Sequence, residues 1–305
     1  MKILNMKLGG FAILWALILS SCEKKSNEER SGNQELTIIG SNTEFELVQA
    51  LKEELYKTNR TFIVKVEGGG SEDGIKALIE RRTDLANSSR ELNEDELQKC
   101  KTKRVIPVPV IFGVDALAII TNSKLGIDSL SINQIASLFS GEIKNWKELG
   151  GPDLPVHLYG RDEHSGTNYF FKQKILHHEY GKGIKTFSKY KKIIEAVKDD
   201  IAGVGYVSVG HIMELNGKPS NEIWACYVYI EGSRAISPYE VQSVIDGSYP
   251  LIRPLYQYSN GNPTGFAKKF IDFELSEEGQ TIVSQHGFFP INDYHKKINS
   301  EKVSL

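Results

Sequence analysis

The sequence predicts an α/β protein of two lobes with a ligand cleft between them. Three observations carry that prediction. Short apolar strands alternate with amphipathic helices from Leu36 onward, and glycine- and serine-rich turns join strand to helix. Two proline-broken apolar runs, "RVIPVPVIFGVDALAIITN" and "SYPLIRPLY", interrupt the alternation far apart in the chain. Alternation argues for helices layered on a sheet, and proline confines a segment to sheet edges or crossings. Two separated crossings imply that the first lobe is assembled from both ends of the chain. We expect residues 36–115 and 250–305 in lobe I and residues 116–249 in lobe II. Ligands of such proteins sit between the lobes, outside the carboxyl ends of the strands.

The first 21 residues are not part of that fold. "MKILNMKLGG" is positively charged, "FAILWALILS" is a short apolar stretch, and small residues follow, the pattern of a secretory signal peptide. The apolar stretch falls short of the roughly 20 residues that span a bilayer. "LSSC" resembles the lipobox of bacterial lipoproteins, which makes Cys22 the expected site of lipid attachment and places the chain in the cell envelope, on the periplasmic side. Residues 22–35 lack a large apolar side chain after Cys22 until the strand begins, and read as a solvated tether.

Charge and cysteine content exclude several function classes. Losing Lys2 and Lys7 with the signal takes the formal net charge from −2 to about −4, so no basic field for nucleic acid exists. An anion would have to be held by local donors. Cys100 and Cys226 are too few and too far apart for a metal site. They read as buried fillers, although an oxidising envelope would permit pairing.

"ELTIIGSNTEF" reads as a strand running through Gly40 into a helix with Phe45, Val48, Leu51 and Leu55 at helical spacing. "FIVKVEGGGSEDGIKALIERR" repeats that grammar, and "TDLANSSREL" is a brief buried run followed by a serine pair. "LSINQIASLFSG" is a helix opened by a capping box, Ser131 with Gln134. "LPVHLYG" is a strand leading to "RDEHSGT" and the helix "NYFFKQKIL"; "IAGVGYVSV" and "IWACYVYI" are further strands. The chain closes in helices with Phe266, Phe270 and Phe273 on one face and Gly287 as a C-cap.

Chemistry concentrates at three strand-to-helix turns: "GSNT" (40–43), "GGGSEDG" (68–74) and "RDEHSGT" (161–167). The first turn of a helix leaves N–H groups without partners, and these with the helix dipole favour an anion. Serine and threonine hydroxyls add donors. A single such turn usually holds only an N-cap; three of them with Arg161 point to a shared anion. The planar guanidinium of Arg161 matches two oxygens of a tetrahedral oxyanion. Glu163 either holds that guanidinium flat or is surface charge. A serine nucleophile needs a base within reach and an orienting group behind it. "HSGTN" lacks the paired glycines of a nucleophile elbow, and side chains adjacent at a helix start diverge. Ser165 therefore reads as a donor, and the chain as a binding protein rather than an enzyme, with no cofactor and no metal.

The quoted turns, together with "FSGEIKNW", "YPLIRPLY" and "LSEEGQTIVSQHGFFPI", resemble the periplasmic phosphate-binding proteins of ATP-driven phosphate importers, in the class II periplasmic binding-protein fold. The resemblance implies a monomer that captures inorganic phosphate by hydrogen bonds and delivers it to a membrane permease. It carries ligand contacts onto Ser41, Asn42, Thr43, Ser71, Ser88, Ser89, Arg161, Ser165, Gly166 and Thr167. One position departs from the family. Many members place an aspartate in the turn that here reads "SSREL", where it accepts the proton of hydrogen phosphate; this chain has Ser89 followed by Arg90. Glu72 and Asp73 are either candidate substitute acceptors or, more simply, first-turn charges that favour the helix dipole, and Arg90 is either a second cationic contact or a partner for an acid across the cleft. Sulfate, molybdate or tungstate remain alternative ligands, as does phosphate sensing without transport.

Overall fold

The computed structural model describes residues 35–213, 221 and 223–302. The signal segment, Cys22 and nearly all of the tether lie outside the described residues. The first half of the described chain runs β1 (Glu35–Gly40), α1 (Phe45–Thr58), β2 (Ile63–Glu67), α2 (Ser71–Ile79), β3 (Leu85–Ser88), α3 (Glu94–Lys103) and β4 (Pro107–Asn122). Then come β5 (Ser129–Ser131), α4 (Ile132–Ser140), β6 (His157–Arg161), α5 (Gly166–Phe171), β7 (Lys185–Phe187), α6 (Tyr190–Asp199) and β8 (Gly203–Ser208). The last part comprises β9 (Ile223–Ala225), β10 (Tyr227–Tyr229), α7 (Val241–Ile245), β11 (Ile252–Asn260), α8 (Gly265–Glu274), α9 (Glu277–Gln285) and α10 (Asp293–Lys302).

The main sheet has the order β2-β1-β3-β11-β4-β8-β6-β7, with β9 also on β4. Parallel pairs, β1 with β2 and β3 and β6 with β7 and β8, lie toward its two ends. The antiparallel strands β4 and β11 join them. β4 does this as one continuous strand rather than two broken runs: residues up to Ala116 pair with β11, and Leu117 to Thr121 pair with β8. Pro107 and Pro109 are tolerated because that half of β4 has a ladder partner on one side only, so the missing N–H groups break no pairing.

The apolar cores divide within these two strands. Leu36, Leu47, Val48, Leu51, Phe112, Leu255, Phe270 and Val283 pack on one face of the β1–β3–β11 region, and Ile75, Leu78, Cys100, Tyr256 and Tyr258 on the other. A separate core gathers Ile119, Phe139, Trp146, Phe171, Tyr206 and Tyr249. The architecture is thus the expected two-lobed α/β fold. α4 starts on the expected capping box of Ser131 and Gln134. "IWACYVYI" is not one strand: Cys226 donates its N–H to the Ile119 carbonyl at 2.8 Å, and the chain passes from β9 on the main sheet to β10 paired with β5. Cys100 and Cys226 are both buried free thiols in different cores, so they do not pair. Burial pushes the Cys226 thiol up to about 12.

Candidate functional site

The three turns, which follow β1, β2 and β6, meet beside the end of β3. Gly40 makes the first approach. Its φ is +147°, and a Cβ there would stand 2.1 Å from the Asn87 carbonyl oxygen. Without that atom the Ser41 N–H reaches the same carbonyl at 3.0 Å, which locks the start of α1 to the end of β3. Ser71 begins α2, and its hydroxyl accepts the Ser89 N–H at 3.1 Å. The hydroxyls of Ser41, Ser71 and Ser89 then form a buried group: Ser89 Oγ lies 3.3 Å from Ser41 Oγ and 3.4 Å from Ser71 Oγ.

Gly166, from the opposite lobe, closes on this group. A Cβ at Gly166 would lie 2.2 Å from Ser71 Oγ and 2.7 Å from Ser89 Oγ, so only glycine allows the approach. Beside it Thr167 Oγ1 is 3.3 Å from Thr43 Oγ1, and both touch the Tyr190 hydroxyl, at 2.5 Å and 3.1 Å. Ser165 is buried at the N-cap of α5, its hydroxyl accepting the Thr167 N–H at 3.2 Å.

Two arginines bring positive charge. Arg161 is 1% exposed. Its N–H is held by the Tyr206 hydroxyl and its carbonyl by Asn168 Nδ2. Nε and Nη2 donate to the carbonyls of Phe187 and Ser188, the guanidinium carbon lies 4.4 Å from the Tyr190 ring centroid, and Nη1 is buried without a partner. No ion pair to Arg161 occurs among the described residues. Arg253, on β11, was not foreseen. It donates through Nε and Nη2 to Asp115 Oδ2, at 3.0 and 2.8 Å, and through Nη2 to Thr167 Oγ1 at 2.8 Å and Thr43 Oγ1 at 3.3 Å. Asp115 also accepts from the Ser208 hydroxyl. The signal for this pair lay in the two crossing runs, each of which carries one charge amid apolar residues, Asp115 in "VIFGVDALAII" and Arg253 in "YPLIRPLY". Tyr190 and Glu44 had no comparable signal.

Several expected contacts go elsewhere. Asn42 braces the turn: its Oδ1 accepts the Gly69 N–H at 3.1 Å and its Nδ2 donates to the Ser188 carbonyl. The Ser88 hydroxyl donates to the Arg90 carbonyl. Glu72 and Asp73 are exposed, and Glu72 meets His164 Nδ1 at 2.9 Å, so neither faces the buried hydroxyls. The first turn of α2 points Ser71 inward and the next two side chains to solvent, as charges that favour the helix dipole. Arg90 makes neither predicted contact; it is buried and bidentate to Glu96 of α3, with both N–O distances 2.7 Å. Glu163 is exposed, so it does not hold Arg161. His164 is turned to Glu72, which hydrogen-bonds it and raises its pKa, while Ser165 caps a helix; no nucleophile–base pair forms between them.

Asp115 neutralises Arg253, and His211, against the Tyr190 ring, has its pKa lowered chiefly by burial. Glu44, beside Ser41 and fully buried, has its pKa raised well above the carboxylate range by desolvation, which outweighs the opposing field of Arg253.

The profile of the PBP superfamily domain matches residues 25–278. The chain belongs to that superfamily, among the PstS- and SphX-like proteins. It is 30% identical to protein SphX of Synechococcus elongatus over 277 residues, covering 87% of this chain and 80% of that one. To the phosphate-binding protein PstS of Bacillus subtilis it is 29% identical, over 95% of this chain and 94% of the relative. Among solved structures, a putative phosphate ABC transporter substrate-binding protein with bound phosphate from Clostridium perfringens superimposes with a TM-score of 0.75 at 27% identity, covering 85% of this chain and all of that one. A PBP-superfamily chain with such relatives is a binding protein, not an enzyme.

Proposed function

We infer that the chain captures inorganic phosphate by hydrogen bonds from Ser41, Thr43, Ser71, Ser89, Arg161, Ser165 and Thr167, with Gly166 giving close backbone approach. One observation carries this reading: Arg161 is a buried guanidinium with a free Nη1 and no carboxylate partner among the described residues, so its charge calls for an anion. The converging hydroxyls and Arg253 supply the remaining donors for a tetrahedral guest. The relatives named as phosphate-binding proteins support phosphate as that guest and an ATP-driven permease as the recipient. Hinge motion where β4 and β11 cross, with lobes of 36–115 plus 250–305 and 116–249, would open and close the site. Cys22 would anchor the mature monomer by lipid on the periplasmic side of the envelope; no helix among the described residues is long and apolar enough to cross a membrane.

Calorimetric titration with phosphate, sulfate, molybdate and tungstate tests the reading. Because the turn carries Ser89 and the Glu96-paired Arg90 rather than an aspartate, another oxyanion is the second reading. Tight phosphate binding that sulfate does not compete away supports the first; sulfate binding that phosphate cannot displace overturns it.

A further inference from the structure

Tyr190 opens α6 and is 3% exposed. Its ring packs on the Arg161 guanidinium and on the His211 ring, with centroid distances of 4.4 and 4.6 Å. The turn before it is pinned as well, because Arg161 donates to the carbonyls of Phe187 and Ser188. The hydroxyl at the far end of this fixed ring meets Thr167 Oγ1 at 2.5 Å, Thr43 Oγ1 at 3.1 Å and Arg253 Nη2 at 3.2 Å. Arg253 sets the direction of these bonds, since a guanidinium only donates. Its Nη2 gives one hydrogen to Asp115 Oδ2 at 2.8 Å, and the shortest of its other contacts is Thr167 Oγ1, also at 2.8 Å. Thr167 Oγ1 therefore accepts from Arg253. The contact between Thr167 and Tyr190 has room for one hydrogen. A phenol is a stronger donor and a weaker acceptor than an aliphatic alcohol, so Tyr190 donates it. Both acceptor positions of Thr167 Oγ1 are then filled, and its own hydrogen can only be given away. Thr43 Oγ1 lies 3.3 Å from it, well beyond the ordinary O–H···O separation of about 2.7–2.8 Å, which leaves that hydrogen for a guest.

We propose that Tyr190 is a positioning residue of the anion site: its hydroxyl and Arg253 together fill the acceptor positions of Thr167 Oγ1 and so hold the Thr167 hydroxyl as a donor to the anion. The inference rests on the phosphate reading and concerns a residue that acts through a ligand contact. Without the phenol hydrogen, Thr167 Oγ1 keeps an open acceptor position. The Thr43 hydroxyl, deprived of Tyr190 as a partner, can then turn its hydrogen onto Thr167, and one donor is withdrawn from the anion. Tyr190 also spans the two turns that grip the guest, Thr43 before α1 and Thr167 in α5. The order of donors is therefore set as those turns come together. Hydroxyls aligned in this way before the ligand arrives need no reorientation on binding.

The test is calorimetric titration of the full chain with inorganic phosphate in a double-mutant cycle of Tyr190→Phe and Thr167→Val, with thermal melts of each protein without phosphate. Tyr190→Phe removes the hydroxyl alone and keeps the ring on Arg161 and His211. It should weaken phosphate about 3- to 10-fold, the effect of one hydrogen bond, and lower the melting temperature by no more than about 4 °C. In the Thr167→Val background the same change should weaken phosphate by less than about 1.5-fold, because the hydroxyl through which Tyr190 acts is gone. If Thr167→Val does not fold, Thr167→Ala takes its place in the cycle. A tyrosine that serves only the fold would instead weaken binding equally in both backgrounds, and that result overturns the proposal. Wild-type affinity in Tyr190→Phe overturns it too, as does failure of Tyr190→Phe to fold, since the hydroxyl would then serve the core. Absence of phosphate heat from the wild type at neutral pH overturns the phosphate reading itself, an outcome distinct from an additive cycle in a protein that binds.

Discussion

Replacing Arg161 by methionine should separate binding from folding. The substitution keeps an apolar stem against Tyr190 and removes the buried charge. A hydrogen bond from a charged donor contributes about 1.5–3 kcal/mol. A unit charge at 4 Å contributes about 4 kcal/mol at an effective dielectric of about 20, before the anion's desolvation is set against it. Together these give a net loss of about 3–5 kcal/mol, or roughly 10²- to 10⁴-fold in Kd. Stability of the ligand-free protein should change little. Losing the bonds to the Phe187 and Ser188 carbonyls costs about 1 kcal/mol each, and the cation–π contact about 1 kcal/mol more. Removing an uncompensated buried charge offsets these. Calorimetry with phosphate and thermal melts without it measure the two quantities. A variant that binds phosphate within about threefold of the wild type would refute the reasoning, because the orphaned Nη1 would then face no ligand.

Three further outcomes are expected. Asp115→Ala should destabilise the fold by about 3–5 kcal/mol in chemical denaturation, since it leaves Arg253 buried and unpaired; a loss below about 1 kcal/mol would mean that Arg253 finds water or another partner. Gly166→Ala should prevent the close approach of Ser71 and Ser89, with phosphate affinity reduced at least tenfold and little change in ligand-free melting; undiminished binding would show that the closed contact is not required. Glu274→Gln should stabilise the protein at alkaline pH. The Glu274 pKa is raised by burial well above the ordinary glutamate value of 4.5, so the neutral carboxyl's contribution is fully present below that value and is lost as pH rises through the folded pKa. The difference between variant and wild type should thus grow by up to about 1.4 kcal/mol per pH unit across that window and vanish in acid. A pH-independent difference would show that Glu274 titrates normally.

The sequence by itself determined the local grammar of this protein. Strand, turn and helix depend on neighbours a few residues apart, so the hydroxyl-bearing turns at Ser41, Ser71 and Thr167, the capping box at Ser131 and the apolar faces of α1 and α8 could be read directly. The crossings at β4 and β11 were also visible, because proline is confined to stretches with a ladder partner on one side only. Only the tertiary structure decided which polar groups face inward and what compensates them. Arg90 and Arg161 look alike in sequence, yet one is neutralised by Glu96 and the other keeps Nη1 without a partner among the described residues. Ser88 and Ser89 are adjacent, yet only one joins the buried hydroxyls. Asp115 and Arg253, 138 residues apart, become a buried pair through an antiparallel register. Charge compensation acts through space over a few ångströms, and chain order carries little information about distance once the chain has crossed between lobes.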